Sequence, residues 1–543
     1  MRGLMMDRPL LISQIVEFAA QNFPDQEIVS RTTEGPIHRY TYPEMAQRTR
    51  KLAKALEALG AKPEDRIGTI AWNNYRHLEI YYASSGMGAI CHTLNPRLPA
   101  EQMIYIINHA QDRFIFVDLT FLPLLEKLHD RFPSVEGFVV MTDKANMPDT
   151  SLPRVYCYET LVESEDDNYE WPEFDENTAS SLCYTSGTTG NPKGVLYSHR
   201  SNVLHALFVL SLSGVPINEA STILPVVPMF HVNAWGSPYF GLLAGVKMVF
   251  PGPNLDGASL SDLIEDEQVT DAWGVPTVWM GLLGHKRETG TSFSSLRRTL
   301  IGGSALPRAM IDEFKQKHGV EAIQGWGMTE MSPLGTVATV RPSMRGDWQR
   351  ELKIRGTQGR LMFGVEMKIV DAKGNALPHD GKSQGELLVR GNAVISGYYE
   401  NPQANENAFD EDGWFRTGDV SVIDPGGYME IVDRVKDVIK SGGEWISSID
   451  LENEAVAHPE LAEAAVIGVR HQKWQERPLL IAVRAKDSNV SKEDVIKFLK
   501  ERLVKFWLPD DVVFVEELPH GATGKLQKAK LREDFKDYTL PAE

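Results

Sequence analysis

Residues 184–195, YTSGTTGNPKGV, combine glycines, hydroxyl side chains and a single lysine within one short stretch. Glycine lets backbone N–H groups approach a ligand closely, hydroxyls donate hydrogen bonds, and Lys193 adds a mobile positive charge. Together these residue types favour a loop that binds phosphate. The preceding residues 179–183, ASSLC, are typical of a short strand, so we expect the loop at a strand end, where α/β folds bind ligands.

This loop differs from an ordinary P-loop. That pattern, G-x-x-x-x-G-K-[ST], requires a glycine directly before the lysine, and Lys193 follows Pro192. The later residues 521–525, GATGK, are two residues too short for the same pattern. A flexible surface turn rich in glycine and threonine is the alternative from composition alone.

The composition indicates a globular chain with a sizeable core. Its 543 residues are 42% hydrophobic and 24% charged, with a net charge of −18. That charge argues against binding to nucleic acid or to an anionic membrane surface. The cysteines Cys91, Cys157 and Cys183 form no C-x-x-C pair and are odd in number, which favours a reducing compartment and no structural zinc. Since no run of about 18 apolar residues is present, we expect no membrane insertion and a cytoplasmic location.

Five further segments accompany the loop. They are PMFHVNAW from Pro228, GWGMTE from Gly325, GWFRTGD from Gly413, DRVKDVIKSGGEWIS from Asp433 and GATGK from Gly521. In this order and at these distances, together with TSGTTGNPKG, they resemble the signatures of the adenylate-forming enzymes. That superfamily comprises acyl-CoA synthetases, luciferases and the adenylation domains of peptide synthetases. The resemblance covers most of the chain, and the set of motifs is highly specific.

The resemblance implies an α/β fold in two parts. A large N-terminal domain of mixed or parallel sheets with helices on both faces is followed by a small, mobile α+β lid domain. The repeating strand and helix patterns independently favour such sheets, and the texture of the sequence changes beyond about Gly427. We expect the domains at residues 1–433 and 434–543, with the hinge that the resemblance implies near Lys436. In the lid, Ser491 and Asp494 predict a capping box, and the acidic residues 163–177 predict an exposed connection before the loop.

Enzymes of this superfamily activate a carboxylate in two steps. The acid attacks the α-phosphate of ATP to give acyl-AMP and pyrophosphate, and a thiol then displaces AMP. Because the first step brings two anions together, the site must supply positive charge and fixed donors. The resemblance assigns the β- and γ-phosphates of ATP to Thr185, Ser186, Gly187, Thr188, Thr189, Gly190 and Lys193. It assigns Mg²⁺ to Glu330 with help from Thr185, and the α-phosphate to Thr329.

Lys525, at the end of GATGK, is implied to be the catalytic cation that bridges the acyl carboxylate and the α-phosphate. Taken alone, a lysine after glycines is typical of a solvated surface charge. Asp419 of RTGD resembles the carboxylate that accepts both ribose hydroxyls, with Arg434 as its neighbour on the ribose or a phosphate. An ordinary salt bridge between Asp419 and Arg434 is the alternative.

Two glycine-containing segments are implied to enclose the adenine. They are Gly302, Gly303 and Ser304 on one side, and Gly325, Trp326 and Gly327, followed by Met328, on the other. Relatives more often carry tyrosine where this chain has Trp326. Stacking on the purine survives that difference, whereas any contact that needs the hydroxyl is lost. A tryptophan of the hydrophobic core is the alternative interpretation.

PMFHVNAW is implied to form the acyl site. Amino-acid-activating relatives carry an aspartate at the position of His231, which speaks against an amino-acid substrate. An imidazole can orient a carboxylate or carry charge near neutral pH, and a structural histidine is an equal alternative. Trp235 resembles the indole that gates the acyl tunnel of bacterial fatty acyl-CoA synthetases. Trp279, Gly302 and Pro333 are further candidates for lining that tunnel.

Two lid segments resemble the face that admits the pantetheine arm of coenzyme A. They are residues 441–452, SGGEWISSIDLE, and residues 471–478, HQKWQERP. The implied contacts are Ser441, Gly442, Gly443, Glu444, Trp445 and Trp474. Ordinary turns are the alternative, because a glycine pair is a weak signal.

The substrate class also follows from resemblance. HTLNPRL from His92, FHVNAW and KSGGEWISSIDLEN are similar to bacterial medium- and long-chain fatty acyl-CoA ligases, and AWNNYRHLEIYYA particularly resembles ligases of 3-methylmercaptopropionate. We expect that acid or a short- or medium-chain fatty acid, with ATP and coenzyme A, and a homodimer. Long-chain fatty acids, or transfer of acyl-AMP to another acceptor, are alternatives. A catalytically silent nucleotide-binding protein is a third, against which Lys525, Glu330 and Asp419 argue together.

Overall fold

The computed structural model describes residues 1, 3–185, 191–212, 214–441, 444–521 and 526–541, with only the backbone of Glu444 and Trp445. Across these ranges the chain alternates strands and helices, as the sequence predicted. None of the helices in these ranges is both long enough and apolar enough to cross a bilayer.

The first part of the chain supplies sheet I and the edge of a second sheet. The elements are α1 (Ile12–Asn22), β1 (Glu27–Arg31), β2 (Ile37–Thr41), α2 (Tyr42–Ala58), β3 (Arg66–Ile70), α3 (Tyr75–Gly86), β4 (Ile90–Thr93), α4 (Ala100–Ala110), β5 (Asp112–Val117), α5 (Leu122–Leu128), β6 (Gly137–Val140), β7 (Val155–Cys157), α6 (Tyr158–Glu163), β8 (Ala179–Tyr184) and β9 (Gly194–Ser198). Sheet I has the order β7-β6-β5-β3-β4-β8-β9. Its neighbouring strands are parallel up to β8, which pairs antiparallel with β9.

The middle of the chain completes sheet II. The elements are α7 (His199–Leu210), β10 (Thr222–Pro225), α8 (Ser237–Leu243), β11 (Lys247–Phe250), α9 (Gly257–Asp266), β12 (Asp271–Gly274), α10 (Pro276–Thr289), β13 (Arg298–Ile301), α11 (Arg308–His318), β14 (Glu321–Gly327), β15 (Leu334–Val337), α12 (Trp348–Arg355) and β16 (Arg360–Leu361). The order is β16-β15-β14-β13-β12-β10-β11-β1-β2. The run from β14 to β1 is parallel, so the carboxyl ends of these strands meet at one edge of the sheet.

Helices cover the faces of these sheets; α3 is buried along its whole length, and α2 packs through one apolar side. In α2 the buried residues include Met45, Leu52 and Leu56, at helical spacing. One hydrophobic cluster takes residues from α1, α2, α3, α7 and α8 and from strands of both sheets. Helices α9, α10 and α11 form a second cluster on sheet II, and α4 and α5 form a third on sheet I.

Sheet III is an antiparallel ladder that follows sheet II in the chain. Its elements are β17 (Val365–Val370), β18 (Gly385–Gly391), α13 (Pro402–Asn405), β19 (Phe415–Ile423) and β20 (Met429–Arg434). The strand order is β17-β18-β19-β20. Its pairing aligns Asp419 on β19 with Arg434 on β20.

The last part of the chain forms a smaller α+β unit, as the sequence predicted. Its elements are β21 (Ile439–Ser441), β22 (Glu444–Ile446), α14 (Ser448–Val456), β23 (Leu461–His471), β24 (Gln475–Arg484), α15 (Lys492–Lys500), β25 (Asp511–Val515) and α16 (Lys528–Asp534). Sheet IV has the order β22-β21-β24-β23, and β25 pairs parallel with β24. The predicted capping box is present, because the Asp494 N–H donates to Ser491 Oγ at 3.2 Å and Asp494 Oδ2 accepts from the Ser491 N–H at 3.4 Å.

The acidic connection before the phosphate loop is more structured than its charge suggested. Its aromatic residues Tyr169 and Trp171 pack against the cluster between the sheets. A methyl group at Gly86 on α3 would lie 2.5 Å from the Trp171 ring, and the Trp171 indole donates to Glu17 at 2.8 Å. Most of the charged residues of this connection stay exposed, so its aromatic side chains anchor it to the rest of the protein.

Candidate active site

The phosphate loop joins the paired strands β8 and β9, at the strand end that the sequence predicted. The Thr185 N–H donates to the Lys193 carbonyl at 2.9 Å, and the Gly194 carbonyl accepts from the Tyr399 N–H at the same distance. The predicted contacts Ser186, Gly187, Thr188, Thr189 and Gly190 lie outside the described residues. The described flanks therefore fix where the loop leaves and re-enters sheet I.

Tyr398 connects the two charged residues assigned to the triphosphate and the metal. The Lys193 ammonium lies 4.7 Å from the centre of the Tyr398 ring, and the Tyr398 hydroxyl donates to Glu330 Oε1 at 2.7 Å. Glu330 is buried, and burial raises the pKa of its carboxyl, while Tyr398, Arg434 and Lys193 act to lower it. A cation beside this carboxylate would compensate for the lost solvation.

Sequence reasoning missed Tyr398. It lies in ISGYYE, between two motifs, and nothing in that segment distinguishes a site residue from an ordinary loop tyrosine. Only the folded chain brings its hydroxyl to Glu330.

Asp419, the carboxylate assigned to the ribose, has a partner at each of its two oxygens. Arg434 Nε lies 2.8 Å from Asp419 Oδ1, and Trp326 Nε1 donates to Asp419 Oδ2 at 3.1 Å. Asp419 is almost fully buried, whereas Arg434 is half-exposed. The salt bridge of the alternative interpretation is therefore present. The same two contacts fix the plane of the carboxylate.

Trp326 is buried in its own right. A methyl group at Gly335 would lie 2.9 Å from Cζ3 of its ring, so the indole packs closely on the backbone of β15. The core interpretation of Trp326 is thus correct for its packing, while its N–H still reaches Asp419.

The two glycine-containing walls meet because β13 and β14 are parallel neighbours. A methyl group at Gly302 would lie 2.8 Å from the Gly325 carbonyl oxygen, and one at Gly327 only 2.1 Å from the Pro333 carbonyl oxygen. Gly303 has a φ of +85°, which side chains rarely adopt, and both Gly303 and Ser304 are exposed. Both walls therefore depend on glycine for their close approach.

Met328 and Thr329 connect the second wall to Glu330, the carboxylate assigned to the metal. The Met328 N–H donates to the Pro333 carbonyl at 3.0 Å. The Thr329 carbonyl accepts from the Tyr197 hydroxyl on β9 at 2.6 Å. Through Tyr197, this segment of sheet II is attached to the strand that follows the phosphate loop.

The acyl motif forms a left-handed turn next to the first wall. The residues from Val232 to Gly236 all have positive φ, and Trp235 Cη2 lies 3.2 Å from the place where a methyl group at Gly302 would be. His231 is half-buried at the start of this turn. Pro333 is buried beside the second wall, whereas Trp279 lies fully buried in the cluster of α9, α10 and α11. The structure thus places Trp235 and Gly302 together and shows Trp279 as a core residue.

The lid residues assigned to coenzyme A lie around β21 and the β23–β24 turn. Ser441 is buried with its hydroxyl 3.4 Å from Arg477 Nη1. Trp474 packs edge-to-face on Phe506, with the ring centres 5.8 Å apart. Gly442 and Gly443 lie outside the described residues, and Glu444 and Trp445 contribute the backbone of β22.

The hinge candidate lies between two different sheets. Sheet III ends at Arg434 and sheet IV begins at Ile439, so Lys436 belongs to neither sheet. Lys525 lies outside the described residues, between Gly521 and Leu526 of the lid.

Carboxylates from both parts of the chain meet where the lid adjoins sheet III. Ser448 of α14 donates to Asp433 Oδ2 through its N–H at 2.7 Å and through its hydroxyl at 2.6 Å. Lys528 lies 2.7 Å from Glu452. Burial raises the pKa of Glu452 to about 7 and that of Asp450 to about 6, the latter helped by the charge of Glu430 on β20.

The described residues contain no group of three or more His, Cys, Asp or Glu side chains that could hold a metal ion.

Comparison with known proteins agrees with this geometry. The AMP-binding enzyme family matches residues 16–399, and the AMP-binding enzyme C-terminal domain matches residues 450–525. The chain is 53% identical over 538 residues to 3-methylmercaptopropionyl-CoA ligase of Ruegeria lacuscaerulensis, covering 99% of each chain. It is 50% identical over 541 residues to medium-chain-fatty-acid–CoA ligase of Ectopseudomonas oleovorans, covering 99% of this chain and 98% of the relative.

A solved structure supports the same fold. ATP-bound MatB from Rhodopseudomonas palustris superposes with a TM-score of 0.81 at 25% identity, over 97% of this chain and 99% of that one. Two large packed sheets followed by a smaller α+β unit form the adenylate-forming enzyme fold, and the chain belongs to the AMP-binding enzyme family. Its activity is that of an acyl-CoA ligase, which uses ATP and coenzyme A and proceeds through an acyl-adenylate.

Proposed function

We propose that the protein ligates 3-methylmercaptopropionate or a short- or medium-chain fatty acid to coenzyme A. The observation that carries this proposal is identity of 53% and 50%, along nearly the whole chain, with ligases named for those two kinds of acid. Trp235 lies against the Gly302 wall, and we infer that this large apolar ring limits the length of acid that reaches the nucleotide.

The nucleotide would bind across the edge where sheets I and II meet. The triphosphate lies against the loop after β8, where Thr185, Ser186, Gly187, Thr188, Thr189, Gly190 and Lys193 supply donors and charge. The adenine lies between the walls formed by Gly302, Gly303 and Ser304 and by Gly325, Trp326, Gly327 and Met328. Asp419 accepts from the ribose hydroxyls, with Arg434 beside it, and Thr329 contacts the α-phosphate.

A magnesium ion fits beside Glu330, with Thr185 as a second oxygen donor. The fit is supported by the buried Glu330 carboxylate, whose pKa burial raises and whose charge a cation would stabilise. When bound, the ion would neutralise charge on the phosphates. The protein's own contribution is to orient that carboxylate through the Tyr398 hydroxyl.

Lys525 would bridge the acyl carboxylate and the α-phosphate in the first step, because one ammonium can stabilise both anions as they approach. His231, at the start of the acyl turn, would orient the incoming carboxylate. The lid, residues 434–543, would then rotate about Lys436 and bring Ser441, Gly442, Gly443, Glu444, Trp445 and Trp474 towards the thiol of coenzyme A. The change of sheet between Arg434 and Ile439 supports this hinge.

A cytoplasmic location is supported by the three cysteines, which are all free. The homodimer is an expectation from resemblance, and size-exclusion chromatography with light scattering measures it.

A panel of acids tests the proposed substrate. We expect kcat/KM with 3-methylmercaptopropionate, hexanoate or octanoate to exceed that with palmitate by about tenfold or more, because a long chain must displace the Trp235 ring. Initial rates with saturating ATP and coenzyme A, scored by AMP release, give these ratios.

The panel also decides between the alternatives. Highest kcat/KM with palmitate would establish the long-chain alternative, which a relative supports. Long-chain-fatty-acid–CoA ligase of Thermus thermophilus is 45% identical over 535 residues, covering 98% of this chain. AMP release that does not depend on coenzyme A would indicate another acceptor for the acyl-adenylate.

A further inference from the structure

The turn that carries Trp235 has an unfavourable backbone. Val232, Asn233, Ala234 and Trp235 have φ values of 49°, 52°, 46° and 57° and are followed by Gly236 at 81°. Residues with a β-carbon rarely occupy this region in succession, because the β-carbon approaches the following carbonyl oxygen. Such a segment persists only where its surroundings hold it in place.

Asn233 attaches this turn to the strand that leads into the phosphate loop. Its Nδ2 donates to Ser181 Oγ at 3.3 Å, and its Oδ1 lies 3.5 Å from Cys183 Sγ. Ser181 and Cys183 are buried residues of β8, which ends directly before Thr185. The same Oδ1 lies 3.2 Å from the hydroxyl of Tyr81 on α3.

Tyr81 and Asn73 hold the segment just before the turn. The buried Tyr81 hydroxyl donates to the Met229 carbonyl. The Asn73 carboxamide donates to the Pro225 and Val227 carbonyls at 2.8 Å each and accepts from the Met229 N–H at 2.6 Å. These bonds join the loop that follows β10 of sheet II to α3, and the contacts of Asn233 join it to sheet I.

We propose that Tyr81 and Asn233 are positioning residues that set the shape of the acid pocket, by fixing the left-handed turn between α3 and β8. The inference rests on the proposed placement of the acid beside Trp235. Neither residue touches the acid itself. Both act through the position of the Trp235 indole, so their loss affects recognition of the acid and leaves recognition of ATP unchanged.

Tyr81→Phe tests the proposal, because it removes one hydroxyl and keeps the buried ring. We expect KM for hexanoate to rise about fivefold, which corresponds to the loss of one buried hydrogen bond, the one to the Met229 carbonyl just before the turn. The hexanoate-to-palmitate ratio of kcat/KM should shift by about threefold or more, while KM for ATP stays within about twofold.

Tyr82→Phe is the matched control. Tyr82 is the next residue of α3, is equally buried, and donates to the Pro238 carbonyl at 2.7 Å, beyond the turn. Tyr82→Phe loses a comparable hydrogen bond to the backbone, so this variant measures how a general loss of stability affects the two KM values and acid selectivity. If Tyr81→Phe and Tyr82→Phe have the same effect on both KM values and on acid selectivity, the proposal is overturned.

Asn233→Gly provides a second variant that does not strain the backbone, since glycine adopts positive φ readily. We expect the same change in acid selectivity as for Tyr81→Phe. The double variant should show less than the sum of the two effects, because both single changes release the same turn. Strict additivity, with unchanged acid selectivity in Asn233→Gly, would contradict the proposal.

Trp235→Ala separates this inference from the pocket on which it depends. If Trp235→Ala changes acid selectivity and Tyr81→Phe does not, the pocket stands and the positioning role is rejected. If Trp235→Ala leaves selectivity unchanged, the assignment of the pocket fails, and the positioning role fails with it.

Discussion

Asp433 and Arg434 are neighbours on β20, yet they serve two different parts of the molecule. Successive side chains of a strand point to opposite faces, so Arg434 reaches Asp419 at the nucleotide site while Asp433 accepts from Ser448 of the lid helix α14. Trp326 and Arg434, which hold Asp419, come from sheets II and III. Asp433 accepts through Oδ2 from Ser448 of the lid and through Oδ1 from the Arg434 N–H on its own strand.

If the lid rotates as proposed, this difference separates contacts that lie before the hinge from contacts that cross it. Trp326 and Arg434, which hold Asp419, lie on β14 and β20 and precede the proposed hinge at Lys436. The contacts at the junction must change if the lid rotates. The junction also includes carboxyl groups whose pKa values are raised by burial, namely those of Asp433, Asp450 and Glu452. A preorganised nucleotide site and a junction whose contacts can change would both be useful to an enzyme with two successive half-reactions.

We expect the largest effect on activity from removing Lys525, the proposed catalytic cation of the lid. Lys525→Ala should lower acyl-adenylate formation by about 100-fold or more, because no other group is proposed to bridge the two anions. Thioester formation from supplied acyl-AMP should be largely retained. Pyrophosphate release measures the first half-reaction, and thioester formation from acyl-AMP measures the second.

Lys530→Ala is the control for Lys525→Ala, since Lys530 is an exposed lysine of α16. It should leave both half-reactions unchanged. Equal losses in the two half-reactions of Lys525→Ala would show that the lysine is needed for folding or docking of the lid and does not act in the first step alone.

An intermediate effect is expected at the nucleotide site. Trp326→Phe keeps an aromatic ring for the adenine but removes the indole N–H that holds Asp419 Oδ2. We expect kcat/KM for ATP to fall by about tenfold, because the carboxylate loses the N–H donor at its Oδ2. The preference for ATP over 2′-deoxy-ATP should narrow as well. Steady-state rates with both nucleotides measure this change.

Trp348→Phe offers a matched comparison for Trp326→Phe. Its indole donates to Asp312 at 2.7 Å on the outer helices α11 and α12, away from the nucleotide. The control should leave both nucleotides' kinetics unchanged. An unaltered preference in Trp326→Phe would mean that the indole N–H is not needed to orient Asp419.

The smallest effect concerns stability at the junction. Asp450 has its pKa raised from 3.8 to about 6, chiefly by burial. Above pH 6 Asp450 is charged in the folded state, and its burial lowers the free energy of unfolding. As the pH falls below 6, protonation of the folded state progressively removes this destabilisation. Asp450→Asn should therefore raise stability by about 1 kcal/mol at pH 8 and by roughly half as much at pH 5.

Thermal unfolding midpoints of the unmodified protein and of Asp450→Asn, measured between pH 5 and pH 8, test this prediction. A stabilisation that grows towards low pH would reverse the expected sign and would show that the Asp450 charge is favourable in the folded protein. A constant difference across the range would show that the substitution acts through packing.

Much of the fold was predictable from local pattern. The apolar spacing of α2, the capping box of Ser491 and Asp494, and the strand before the phosphate loop all follow from neighbours within a few residues. The connection at residues 163–177 was less predictable, because Trp171 packs under Gly86, which is far away in the chain. Local charge could not indicate that contact.

The sequence by itself determined the residue types of the site and the order in which the motifs occur, because glycines, hydroxyls and single charges can be recognised without coordinates. It determined the alternation of strands and helices for the same local reason. Only the tertiary structure decided that Tyr398 reaches Glu330, that Trp326 holds Asp419, and that Asn233 ties the acyl turn to β8. Each of these bonds joins residues from separate elements, and a buried polar atom finds its partner only when the sheets have packed.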